Sequence, residues 1–224
     1  MKTPWYYTIN QFMVRTVDNF RKTMELTKYH RAALNEMATT YPLDTDYGVM
    51  LARYTPAHQQ FMAAYTRLNM ANGALKGSSL AMRQQLTELR KLAQQWWVRA
   101  QAAGFGRDSD ELEAMFPRGL KPFSNGAIDD KIANVNVLAK SMQPHAVLDA
   151  LRLEITAYYT LLAASRADQL GKKSSKISSS AQVLEAQKVV MREQYRNVGR
   201  LMEKFAETPE SITPFFNVQV LRQR

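Results

Sequence analysis

A chain of 224 residues, 46% hydrophobic and 22% charged, has the ordinary balance of a folded globular protein. It contains no cysteine, which excludes disulfides, thiolate nucleophiles and cysteine-ligated zinc or iron–sulfur centres. Its 30 Lys and Arg against 20 Asp and Glu give a formal net charge of +10, a bias toward an acidic partner such as nucleic acid, an anionic membrane or an acidic protein face.

Residues 1–8 read as an extended N-terminal arm. Pro4 disfavours helix at Thr3, and Trp5, Tyr6, Tyr7 and Thr8 favour extended backbone. Met1 to Tyr7 lacks the apolar stretch of a signal peptide, so a cytoplasmic location is expected, a mature exported chain being the other reading. No window of roughly 18 residues is apolar enough to predict a transmembrane helix.

A first helix is expected from about Ile9 to Thr39, with Met13, Val17, Phe20, Met24, Thr27 and Leu34 on one stripe and Arg31 interrupting it. Turn residues from Tyr41 to Gly48 predict a loop. Thr55-Pro56 then has the form of an N-cap hydroxyl followed by proline at the first helical position. The helix it opens is the most regular stretch of the chain. Phe61, Tyr65, Leu68, Asn72, Leu75, Ser79, Met82, Leu86, Leu89, Ala93, Trp96 and Ala100 alternate at spacings of four and three, the seam of a helix packed on other helices. Gly73 and Gly77 each cost about 1 kcal/mol relative to Ala, yet the register stays in phase on both sides, which predicts one helix rather than two.

Gly104-Phe-Gly106 ends that helix. Asp108 with Glu111 resembles a capping box opening a short helix to about Phe116. The stretch from Phe116 to Gly126, with two prolines and two glycines, is the strongest break, and the midpoint is placed there. A third helix is expected from about Ala127, stopped or kinked at Pro144, with Leu148, Leu151, Ile155, Tyr158 and Leu162 in register beyond it. Gly171 to Ser180 reads as a polar connector. The last helix, about Ala181 to Glu207, carries Leu184, Met191, Tyr195, Val198, Met202 and Phe205 on one stripe. Pro209 and Pro214 then predict an extended tail over residues 208–224 with a strand-like pattern.

The expected fold is therefore all-α: an antiparallel four-helix bundle, up-down-up-down, over residues 9–207, with extended arms at both ends. Its parts are a hairpin at 9–104, a short helix and Pro/Gly hinge at 108–126, and a hairpin at 127–207.

Site chemistry is sparse. No Glu-x-x-His of a di-iron bundle occurs, and His30, His58 and His145 are scattered, so they read as surface or capping histidines and no metal or cofactor is expected. Gly73 to Ser79 has the wrong order for a phosphate loop and no strand before it. Gly104-Phe-Gly106 lacks the third glycine of a dinucleotide fingerprint. No Gly-x-Ser-x-Gly is present. No enzyme activity is expected.

Charge is more informative. Lys188, Arg192, Arg196, Arg200 and Lys204 recur every four residues, a stripe fit for an acidic partner or phosphate; the commoner use of such a stripe is a solvated or salt-bridged face. The second helix is basic at Arg67, Lys76, Arg83, Arg90, Lys91 and Arg99 against Glu88, with Trp97 beside it as an aromatic for stacking on bases or, the commoner use, for core or interface burial. Asp108, Asp110, Glu111, Glu113, Asp129, Asp130, Asp149, Glu154 and Asp168 supply an acidic patch that a basic face of another copy would complement. Trp5, Tyr6, Tyr7, Phe215 and Phe216 are the aromatic residues of the two arms, and at least one arm is expected to dock on another subunit or partner, the other reading being that both return onto their own bundle and seal its ends. These features predict a non-enzymatic structural or scaffold protein that contacts itself or another protein; the alternative is a basic nucleic-acid-binding bundle.

Overall fold

The computed structural model describes residues 20–217. Every regular element among them is helical: α1 (Phe20–Thr40), α2 (Thr45–Ala102), α3 (Asp110–Met115), α4 (Lys121–Ser124), α5 (Ile128–Ser141) and α6 (Asp149–Lys204), with 3-10 turns at Ala146–Leu148 and Pro209–Phe215. No helix among the described residues is long and apolar enough to cross a membrane.

Two of the helices are longer than the sequence suggests. α2 starts at Thr45 and carries Pro56 in its interior, so Thr55 is not its N-cap. Pro56 has no N–H for the preceding turn, an expected cost of about 3 kcal/mol. The helix holds because Tyr54, Ala57, His58 and Phe61 are buried on both sides of it. The Thr55 hydroxyl donates back to the Leu51 carbonyl at 2.8 Å. α6 runs unbroken through Gly171 to Ser180, the expected connector. That stretch has no proline, and Ser and Gly cost only about 0.5–1 kcal/mol each inside a helix, too little to end one between strong flanks. Pro144 does separate α5 from α6, and α2 passes through Gly73 and Gly77 as one helix. The short helix is capped by Ser109, one residue after the expected Asp108; its Oγ accepts from Leu112 N–H at 3.2 Å. At the end of α2, Gly104 takes φ of +105°, the left-handed cap that a side chain disfavours.

The described chain falls into two compact units, divided at Ala71/Asn72 and Ser175/Lys176 rather than in the Phe116–Gly126 stretch. The first unit holds α1, the start of α2, the end of α6 and the 3-10 turn Pro209–Phe215. Ring contacts Phe20–Tyr65 at 6.4 Å and His30–Tyr54 at 4.8 Å set α1 antiparallel to α2. The pairs Thr23–Gln187 and His30–Asn197 set α1 parallel to α6. Three helices and a 3-10 turn thus enclose one core, including Leu34, Met50, Tyr54, Phe61, Val190 and Phe215.

The second unit, Asn72–Ser175, holds the rest of α2 and α6 with α3, α4 and α5. Met82, Leu89, Ala93, Trp96 and Ala100 of the α2 seam are buried there with Leu112, Phe116, Phe123, Val135 and Ile155. Leu86 is half-buried beside them. These residues pack on α3, α5 and the start of α6, elements of their own unit. Phe116 and Phe123 are 2% and 4% exposed, so two phenylalanines of the Pro/Gly-rich stretch are anchored in this core.

Candidate functional site

The expected basic stripe on α6 is largely neutralised from within. Lys188 pairs with Glu185 at 2.6 Å, and Arg196 pairs with Glu193. Lys204 reaches Asp44 at 2.6 Å and Asp46 at 3.0 Å, and its ammonium lies 4.9 Å from the Tyr47 ring centre. Burial works against the Lys204 charge, but the two carboxylates hold its pKa above the ordinary value. Arg192 and Arg200 are exposed and have no acidic partner among the described residues.

The acidic residues are also partly used inside the second unit. Arg166 makes a bidentate pair with Asp129, both oxygens at 2.8 Å, and bonds Gln169, whose amide donates to Ser79. Glu154 accepts from Trp96 Nε1 at 2.9 Å and from Arg99 at 2.5 Å. The Arg99 hydrogen bond, with help from Trp96, holds the Glu154 carboxyl below its usual value. Asp149 pairs with Arg152, and Asp168 with Lys172. On α2, Arg83, Arg90 and Lys91 remain exposed without ion pairs among the described residues. Trp97 meets Phe116 edge-on at 4.9 Å, which covers part of the ring proposed for base stacking.

The arms divide. Trp5, Tyr6 and Tyr7 lie outside the described residues. Phe215 and Phe216, expected in an extended tail, close a 3-10 turn and are 1% and 3% exposed. Phe215 stacks on Tyr47 at 5.9 Å, and Phe216 stacks on His30 at 4.7 Å with the rings 14° apart. Burying these two rings on their own unit gains the apolar transfer energy that a partner would otherwise supply.

What the sequence pattern missed is a polar core. Among the described residues the six buried polar side chains lie in the first unit: Thr23, Thr27 and His30 on α1, His58 on α2, and Gln194 and Asn197 on α6. His30 is fully buried. Its Nδ1 faces the Phe215 carbonyl at 3.0 Å, an acceptor only, so Nδ1 carries the proton. Its Nε2 therefore accepts from Asn197 Nδ2 at 3.1 Å. Burial depresses His30 to a pKa of about 4, opposed by the Phe215 bond, so the ring is neutral. The Tyr54 hydroxyl sits 3.4 Å from the Thr27 carbonyl and 3.3 Å from Gln194 Oε1. Burial raises the Tyr54 pKa well above its ordinary value. Gln187 donates to Thr23 at 2.6 Å.

Two groups in this unit stay unpaired. His58 is 4% exposed and neither ring nitrogen has a partner; Gln194 Nε2 is also orphaned. An unsatisfied buried polar group costs about 1–3 kcal/mol. Reading the histidines as surface or capping groups fails for His30 and His58 and fits His145, which precedes a 3-10 turn and packs edge-on against Phe105. Among the described residues no group of three or more His, Asp or Glu could hold a metal ion. No family model, curated protein or solved structure matches this chain.

Proposed function

We propose that this chain is a non-enzymatic helical scaffold that acts by self-association through the outer faces of its long helices. One observation carries the reading. Between Leu68 and Met82 no residue of α2 is buried, and between Leu162 and Val183 none of α6 is. Yet these stretches carry Met70, Leu80, Leu170 and Ile177, exposed by 70%, 58%, 47% and 62%. A helical stretch that buries nothing is marginal by itself, and apolar groups left on it favour a covering surface. Of the buried polar groups of the first unit, His30 bonds Asn197, Thr23 bonds Gln187 and Gln194 bonds Tyr54, contacts between helices that suit a structural role. The nucleic-acid alternative keeps one favourable observation, the unpaired cations Arg83, Arg90 and Lys91 on α2 with Arg192 and Arg200 on α6.

Light scattering at low and high salt, with and without duplex DNA, tests both. Self-association gives a mass of at least two 25.6 kDa chains that persists in high salt. A single-chain mass under every condition contradicts it. A mass that rises only with DNA, and falls back as salt displaces the phosphate contacts, replaces it with the alternative.

A further inference from the structure

His58 is the one buried histidine whose ring nitrogens both lack a partner. Its place can be fixed from the register of α1 against α2. Phe20 meets Tyr65 and His30 meets Tyr54, so the antiparallel pairing sets His58 against Leu26 and Thr27 of α1, next to Lys28 and about one turn before Arg31. Both cations are exposed, and neither has a hydrogen-bond or acidic partner among the described residues. Burial first, then the charges of Arg31 and Lys28, hold His58 down to a pKa of about 4. The Arg31 charge also acts on Tyr54. No carboxylate contributes at His58. A neutral imidazole must carry an N–H on one nitrogen, and here that donor is buried with no acceptor. Two free cations and an orphaned donor are the complement of an oxyanion.

We propose that His58, Arg31 and Lys28 form a binding site for a phosphate group, seated at the outer edge of the α1–α2 packing. The Arg31 guanidinium offers a planar fork to two oxygens, Lys28 adds a second positive charge, and the His58 N–H takes a third oxygen. Two fixed cations suit a charge near that of a phosphate monoester. Both His58 nitrogens are sealed from solvent, so binding requires the side chains around the imidazole to open and the Lys28 and Arg31 side chains to turn toward the anion. The bound anion reverses the local field at the imidazole, so occupancy and the His58 protonation state are linked.

Imidazole NMR of the intact chain tests this, titrating pH with inorganic phosphate against chloride at matched ionic strength. The site predicts that phosphate raises the His58 pKa by at least about one unit and leaves His30 and His145 in place. Arg31→Gln with Lys28→Gln, both at exposed positions, should abolish the shift. His58→Leu should raise the melting temperature in chloride by removing the orphan, and should lose any further gain from phosphate. A His58 pKa indifferent to phosphate overturns the proposal. So does a shift that survives unchanged in the double variant, since the anion would then be held elsewhere.

Discussion

The His30 Nδ1–H donates to the carbonyl of Phe215, a residue 185 positions further on, across 3.0 Å. That single bond ties the 3-10 turn after α6 to the middle of α1, and the Phe216 ring stacked on the imidazole seals it. The closing turn of the first unit is thus held by this contact together with the burial of Ile212, Phe215 and Phe216. Deleting residues 209–224 should lower the unfolding free energy by several kcal/mol, since each buried Ile or Phe contributes about 1.5–3 kcal/mol. Urea unfolding measures this; an unchanged midpoint would show that the turn is not part of the core.

The buried imidazoles make stability depend on pH. His30 and His58 have pKa values of about 4 in the folded chain, against 6.5 ordinarily. Between these values the unfolded chain binds more protons than the folded one. Stability is therefore complete above 6.5 and falls as pH drops through the window toward 4. Fully buried His30 alone accounts for about 3 kcal/mol at the bottom of that window. Denaturant unfolding in steps down from neutral pH should show the decline beginning well above the carboxylate range. A flat profile down to pH 5 or so would contradict neutral burial of both rings.

Tyr54 and Gln194 share one hydrogen bond and leave one amide nitrogen unpaired. Tyr54→Phe should cost about 1 kcal/mol, because it strands Gln194 further. Gln194→Leu should be near neutral, because it removes an unpaired donor while Tyr54 keeps the Thr27 carbonyl. The double variant should be more stable than the sum of the two costs, a coupling that a double-mutant cycle reads directly. Additive effects would mean that the two groups do not meet.

The second unit separates core from surface charge. Leu89→Ala, at a fully buried seam position, should cost about 2–5 kcal/mol. Arg99→Ala breaks only an ion pair whose side chains are 48% and 42% exposed, and should cost less than about 1 kcal/mol. Equal losses would mean that the Arg99–Glu154–Trp96 cluster carries more of the fold than its exposure implies. Gly73→Ala and Gly77→Ala meet nothing within 4 Å and have helical backbone, so each should stabilise by up to about 1 kcal/mol.

The seam of α2 was legible because its buried positions in the second unit are apolar: Met82, Leu89, Ala93, Trp96 and Ala100 keep one register. On α1 Thr27 and Leu34, and at the start of α6 Leu151, Ile155 and Leu162, lie in the core as the register predicts, but of the stripe expected on the last part of α6 only Val198 is buried. The buried face of α6 runs through Val183, Ala186, Val190, Gln194, Asn197 and Leu201, while Tyr195 and Met202 from the expected stripe are 44% and 42% exposed. On α1 the buried face is Thr23, Leu26, Thr27, His30 and Leu34, with Arg31 outside it. A seam that contains Gln, Asn, His and Thr looks like a surface until its partners are known, and those partners lie 140 or more residues away. The continuity of α6 was hidden for a different reason. Gly171 to Ser180 has the composition of a linker, but composition alone weakens a helix only slightly. The orphaned nitrogens of His58 left no trace in the sequence, because satisfaction of a buried group is a property of its neighbours.

Amide hydrogen exchange in dilute and concentrated solution tests the scaffold reading most directly. If the outer faces of α2 and α6 associate, protection between Leu68 and Met82 and between Leu162 and Val183 should rise with protein concentration, and Leu170→Asp with Ile177→Asp should remove the rise on α6. Identical exchange in those stretches at both concentrations would contradict self-association through them.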